Sequence, residues 1–96
     1  MIKTIALFTR WLETEKGYSK HTVSGYGHDI KEFIDHVGSE MKIVDIRSSH
    51  LQSFIVSLHR SNSAATVGRK LSALRTFFRF ALRCKRIVND PLLGIA

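Results

Sequence analysis

Arg69 is flanked at helical spacing by Asn62, Ala65, Thr66, Ser72, Ala73 and Thr76. Residues three and four apart share one side of a helix, so these groups form a single polar face around one guanidinium. That pattern suits anion recognition. Short side chains let a ligand's backbone come close, and arginine can hold a phosphate or fork onto guanine O6 and N7. Arg75, Arg79, Arg83 and Arg86 lie towards one flank, within reach of further phosphates. A face that merely meets water usually mixes Glu with Lys in i,i+4 pairs, and this segment has no such pair.

The charge pattern extends beyond that helix. From Ile46 to Asn89 there is no acidic residue, but there are nine basic ones: Arg47, Arg60, Arg69, Lys70, Arg75, Arg79, Arg83, Lys85 and Arg86. All 8 carboxylates of the chain fall outside that window, and the formal net charge is +7. A positive body of one sign implies a large anionic partner, with nucleic acid the foremost class. A second small-residue face occurs earlier, where His21, Ser24, Gly25 and His28 oppose an apolar arc. Gly25 and Gly27 each cost about 1 kcal/mol relative to Ala inside a helix. At Gly25, close approach of another backbone, protein or phosphate, would offset that cost. Gly27, beside the apolar arc, is expected to be simply tolerated near a helix start. Glu32 and Asp35 confine any anion contact on this face to its first two turns.

Other chemistries find no support. The five histidines, His21, His28, His36, His50 and His59, make no recognised metal spacing. Cys84 is the sole cysteine, which excludes an internal disulfide and fits a reducing cytoplasm. There is no glycine-rich phosphate loop. Asp29 and Glu32 share a predicted helix without a supporting cluster, and Asp29 is expected to pair with Lys31 or cap locally rather than do acid–base work. Tyr26 lies on the apolar arc, which argues against a nucleophile. The expectation is therefore no cofactor, no metal and no self-contained active site. No apolar run approaches the roughly 20 residues of a membrane span, and Arg10 interrupts the N-terminal apolar stretch, so neither a membrane partner nor a signal peptide is expected.

The elements that would position these faces read as four helices. At 96 residues the chain is at most one domain with a modest core. Ile5, Phe8 and Leu12 predict a helix over about residues 3 to 15, which Gly17 ends. Leu7 and Trp11 form a second stripe on it, with Trp11 expected in the core. Ser19 is a candidate N-cap for a second helix, whose arc is Val23, Tyr26, Ile30, Phe33, Ile34 and Val37 and whose stop is Gly38. Ile43, Val44 and Ile46 are expected to plug the core from a connector, or to form a short strand. Ser48 or Ser49 would cap a third helix with Leu51, Phe54, Ile55 and Leu58 inward. Ser63 would cap a fourth, running to about Arg83, with Val67, Leu71, Leu74, Phe77, Phe78, Ala81 and Leu82 inward. Lys70, near that arc, is expected to snorkel. Asn89-Asp90-Pro91 breaks the chain, giving an expected domain over 1–90 and the start of a linker over 91–96. The fold class is all-α, a compact four-helix bundle.

These residues resemble a known family. Gly17-Tyr18-Ser19, Thr22, Tyr26, Asp29-Ile30 and Phe33 fit the G-x-S-x-x-T-x-x-x-Y-x-x-D-L-x-x-F pattern of tyrosine recombinases, the phage integrases and Xer-type enzymes. Ala65-Thr66, Arg69, Leu71-Ser72-Ala73-Leu74-Arg75, Phe77-Phe78 and Phe80 resemble their T-x-x-R-x-L-S-A-L-R-x-F-F-x-F helix, and Asp90-Pro91 resembles the closing Asn-Pro. The resemblance implies an N-terminal core-binding domain of SAM-like fold, half of a clamp around double-stranded DNA. It also implies a separate C-terminal catalytic domain as partner, so that this segment would not itself be an enzyme, and neighbouring recombinase protomers on DNA. Leu7 and Trp11 lie where the family can meet such a protomer.

In that family the second and fourth helices enter the major groove. Carried over by position, this implicates Ser19, His21, Thr22, Ser24, Gly25 and His28, then Ala65, Thr66, Arg69 and Ala73. Lys20 and Arg60 are expected at phosphates, as is Arg75 on the flank. Thr22 and Thr66 fit equally well as caps or as contacts. Lys85 stands where relatives commonly have glycine, and so does Asn62. Two other classes fit the same residues: a stand-alone helical DNA-binding regulator, and a protein-interaction module with an acidic partner.

Overall fold

Serine caps start two of the helices as the sequence predicts. In a computed structural model of the protein, which describes residues 1–95, the helices are α1 (Ile2–Thr14), α2 (Lys20–Val37), α3 (Ser48–Ser61) and α4 (Ala64–Arg83). Ser19 Oγ accepts from the Thr22 amide at 3.2 Å, and Ser63 Oγ accepts from the Thr66 amide at 3.2 Å. Each satisfies a donor that the helix itself cannot. α3 departs from expectation: neither Ser48 nor Ser49 caps it. Arg47 is its N-cap residue, and the His50 ring reaches back to accept the Arg47 amide at 2.8 Å. Gly17 and Gly38 close α1 and α2 at φ +66 and +99, backbone angles that glycine adopts without strain.

Among the described residues there is no strand, so the all-α four-helix architecture stands. Ile43–Asp45 forms one 3₁₀ turn instead of the alternative short strand. Ile46 of the connector plugs the core and the half-buried Ile43 packs against it, while Val44 is exposed. α4 runs through the middle, touching α1, α2 and α3. Its Phe77 and Phe78 are wholly buried with Phe8 of α1, Phe33 of α2 and Leu51 of α3. Phe8 and Phe77 meet edge-on at 5.3 Å, as do Phe33 and Phe54 at 5.2 Å. Trp11 is half-buried against Phe80 at 5.1 Å. Leu82, expected inward, is exposed.

The end of α4 is held without glycine. Lys85 takes φ +60, while the Arg86 amide donates to Ala81 O at 2.9 Å and the Lys85 amide to Leu82 O at 3.1 Å. Those two bonds make a Schellman stop, whose left-handed residue is usually glycine. The chain then turns back: Ile87 and Leu92 are buried, and Ser48 Oγ donates to Pro91 O at 2.8 Å. The packed body therefore continues past Asp90, because Leu92 finds apolar surface there.

Candidate nucleic-acid interface

A seam of ion pairs joins α2 to α4. Asp29, on α2, is 2% exposed and carries two cations from α4. Arg69 Nη1 donates to Asp29 Oδ2 at 2.7 Å, and Lys70 Nζ donates to Asp29 Oδ1 at 3.1 Å. Lys70 Nζ also donates to Glu32 Oε1 at 2.5 Å. The sequence expectation for Asp29, a bond to Lys31 or a local cap, is thus corrected: its partners lie 40 and 41 residues away. Lys70 does not snorkel. It is 8% exposed and serves as the inner counter-ion of two carboxylates. Burial alone pulls the Lys70 ammonium down, but its hydrogen bonds with Glu32 and Asp29 outweigh that and hold it above the ordinary 10.5.

Adjacent residues therefore have opposite fates. Lys70 points inward and is spent on the fold. Arg69 has one nitrogen on Asp29, yet its side chain is 58% exposed, leaving its other N–H groups facing outward. His28 and Arg69 are both exposed and flank Asp29, one along the chain and one through space.

Of the other sequence-selected residues, Ser19, Lys20, His21, Thr22, Ser24, Ala65 and Arg60 are exposed, and Gly25, Thr66 and Arg75 are half-buried. Gly25 lies one turn before Asp29, and a Cβ added there would meet nothing within 4 Å. No protein backbone approaches it. Gly27 would place its Cβ 3.4 Å from Thr9 Cγ2, so it faces α1. Thr22 and Thr66 both act in caps, each hydroxyl accepting from the capping serine, at 3.0 and 3.1 Å. Arg60 is not tied to the seam: it lines a shallow groove on α3 with His36, Ser53 and Val56.

Ala73 is a correction. It is 0% exposed and unavailable to any ligand. An isolated wheel puts it near Arg69 on the polar side. α4 is packed against by α1, α2 and α3, and Ala73 is covered within that core. Gly68 was missed: it is exposed near the start of α4 with open space where a Cβ would sit. A breaker tolerated on a polar face is the signal that would have flagged it. Among the described residues, Arg75, Arg79, Arg83 and Arg86 pair with no carboxylate.

Three helices packed around a central α4, with Arg69, Arg79, Arg83 and Arg86 exposed, make a small all-helical domain. Comparison with known proteins places it more closely. The family described as phage integrase, N-terminal SAM-like domain, matches residues 5–85, and the chain belongs to that family. It is similar to tyrosine recombinase XerC of Anoxybacillus flavithermus, 36% identical over 92% of this chain and 30% of the relative. XerC of Bacillus licheniformis is 34% identical over 96% of this chain and 31% of its own length, and XerC of Alcanivorax borkumensis 36% identical over 98% and 31%. The chain thus spans about a third of the length of the curated relatives it matches. No solved structure matches it. Among the described residues no helix is long and apolar enough to cross a membrane.

Proposed function

We propose that this chain is a DNA-binding domain of a site-specific tyrosine recombinase, gripping one face of a duplex core site as half of a clamp. α2 and α4 lie against the major groove. Cleavage and rejoining fall to a catalytic domain in the remainder of a longer protein, and other protomers share the DNA. The observation that carries this reading is Arg69: an exposed guanidinium fixed at the α2–α4 seam, amid small side chains, on a helix whose flank cations have no carboxylate partners. Ser19, His21, Ser24, Gly25, His28, Ala65 and Gly68 supply the close-approach surface around it, with Lys20 and Arg75 at its margins. Thr22 and Thr66 hold the two helix starts in shape and still have hydroxyl protons to donate.

Titration of the chain with a short duplex, followed by backbone amide shifts, tests this. Shifts should concentrate in the first two turns of α2 and at Ala65, Gly68 and Arg69. Affinity should fall steeply with salt, and loss of one phosphate-binding cation should reduce the salt slope by about 1. Arg69→Ala should weaken binding about tenfold. Shifts confined to α3, or an unchanged affinity in Arg69→Ala, would remove this face from consideration.

A further inference from the structure

Asp29 cannot touch DNA, since it is 2% exposed. Its two oxygens are nonetheless fully assigned, Oδ2 to Arg69 and Oδ1 to Lys70. Lys70 is in turn bracketed by Glu32, so the carboxylate is held against rotation from its inner side. An arginine side chain gives up rotamer freedom when it is immobilised against a ligand. Here that loss falls on folding, because a buried acceptor holds one nitrogen while the rest of the guanidinium faces outward. Pre-organisation of that kind raises affinity without adding a contact. An opposing effect exists: a carboxylate beside the guanidinium weakens its pull on a phosphate. Geometry favours the first effect, because planar bidentate recognition depends on orientation more than on net charge.

We propose that Asp29 is a positioning residue for Arg69, aiming its guanidinium at the DNA from within the α2–α4 seam, with Lys70 and Glu32 as the bracket that fixes the carboxylate. This rests on the DNA-binding reading above. It adds a residue that affects recognition without contacting the ligand.

A double-mutant cycle on the 96-residue chain, read by anisotropy of a short fluorescein-labelled mixed-sequence duplex, tests it. The variants are Asp29→Asn, Arg69→Ala and the pair, each measured well below its melting temperature. Asp29→Asn should weaken binding about fivefold in the Arg69 background and less than about twofold in the Arg69→Ala background. Equal losses in both backgrounds would make Asp29 merely structural and overturn the proposal. So would unchanged or tighter binding by Asp29→Asn, the result expected if charge attenuation dominates. Absence of wild-type binding at low salt would overturn the DNA-binding reading and this proposal with it. Wild-type binding that Arg69→Ala weakens and Asp29→Asn does not would overturn the proposal alone. If Asp29→Asn fails to fold, the wild-type side-chain nitrogen spectrum decides. Separate, slowly exchanging Arg69 Nη signals before and after duplex addition support a held guanidinium, and averaged signals in the free protein overturn it.

Discussion

The two halves of α4 carry similar numbers of cations and use them differently. In the first half, Arg69 and Lys70 meet two carboxylates of α2, one of them buried, and the pairing joins the helices. In the second half, Phe77, Phe78 and Phe80 make the junction through aromatic contacts, and Arg75 and Arg79 have no carboxylate partner among the described residues. Arg83 lies over the Trp11 ring at 5.4 Å, with Lys16 over the same ring at 5.3 Å. Basic composition alone does not say whether a cation is structural or available. A buried acceptor within reach decides it, because a desolvated carboxylate must be paired, whereas an exposed arginine need not be.

The sharpest way to break this contrast is to remove the anchor of each half. Phe77→Ala should cost about 3 to 5 kcal/mol in denaturant unfolding, since the ring is wholly buried and leaves a cavity. Lys70→Met should cost less, about 2 kcal/mol, because Asp29 keeps Arg69 and Glu32 is partly solvated. Its effect on the salt slope of duplex binding should be nil, which separates it from a phosphate contact.

Alkaline pH probes the first half selectively. Lys70 has a folded-state pKa raised above 10.5, so it binds its proton more tightly folded than unfolded. Its contribution is fully present below 10.5 and is lost as pH rises through the higher folded value. Stability measured from pH 9 upward should therefore begin to lose this component near 10.5 in the wild type, and Lys70→Met should lack that loss. A fall identical in the variant would mean the cluster does not couple to folding as drawn.

Two smaller substitutions test the ends and the face of α4. Lys85→Gly should stabilise by about 0.5 to 1 kcal/mol, because it relieves a left-handed non-glycine residue at some entropic cost. Gly68→Ala should stabilise by a similar or smaller amount, about 0.5 kcal/mol, since its Cβ would point into open space. If DNA approaches that face closely, the same variant should bind duplex more weakly despite being more stable. Tighter or equal binding would move the DNA away from Gly68.

Helix periodicity, Ser19 and Ser63 as caps, and glycine stops at Gly17 and Gly38 were legible because they depend on residues within one or two turns of each other. The basic window and the exposure of His21, Ser24, His28 and Arg69 were legible for the same reason: composition and a single-helix wheel suffice. The wheel failed at Ala73, Leu82 and Lys70, which lie on the flanks of the apolar arc. There, burial is set by which neighbouring helix arrives, not by the helix's own pattern. α3 misled through its serines, because the His50 ring took the capping role.

By itself, the sequence determined four amphipathic helices, the serine caps of α2 and α4, the glycine stops of α1 and α2, and one carboxylate-free basic half. All of these follow from local periodicity and charge count. Only the tertiary structure decided that Asp29 would claim Arg69 and Lys70 from some forty residues away, leaving one exposed and the other buried. The physical reason is that ion-pair choice in a desolvated seam depends on helix packing geometry, which no spacing along one helix encodes.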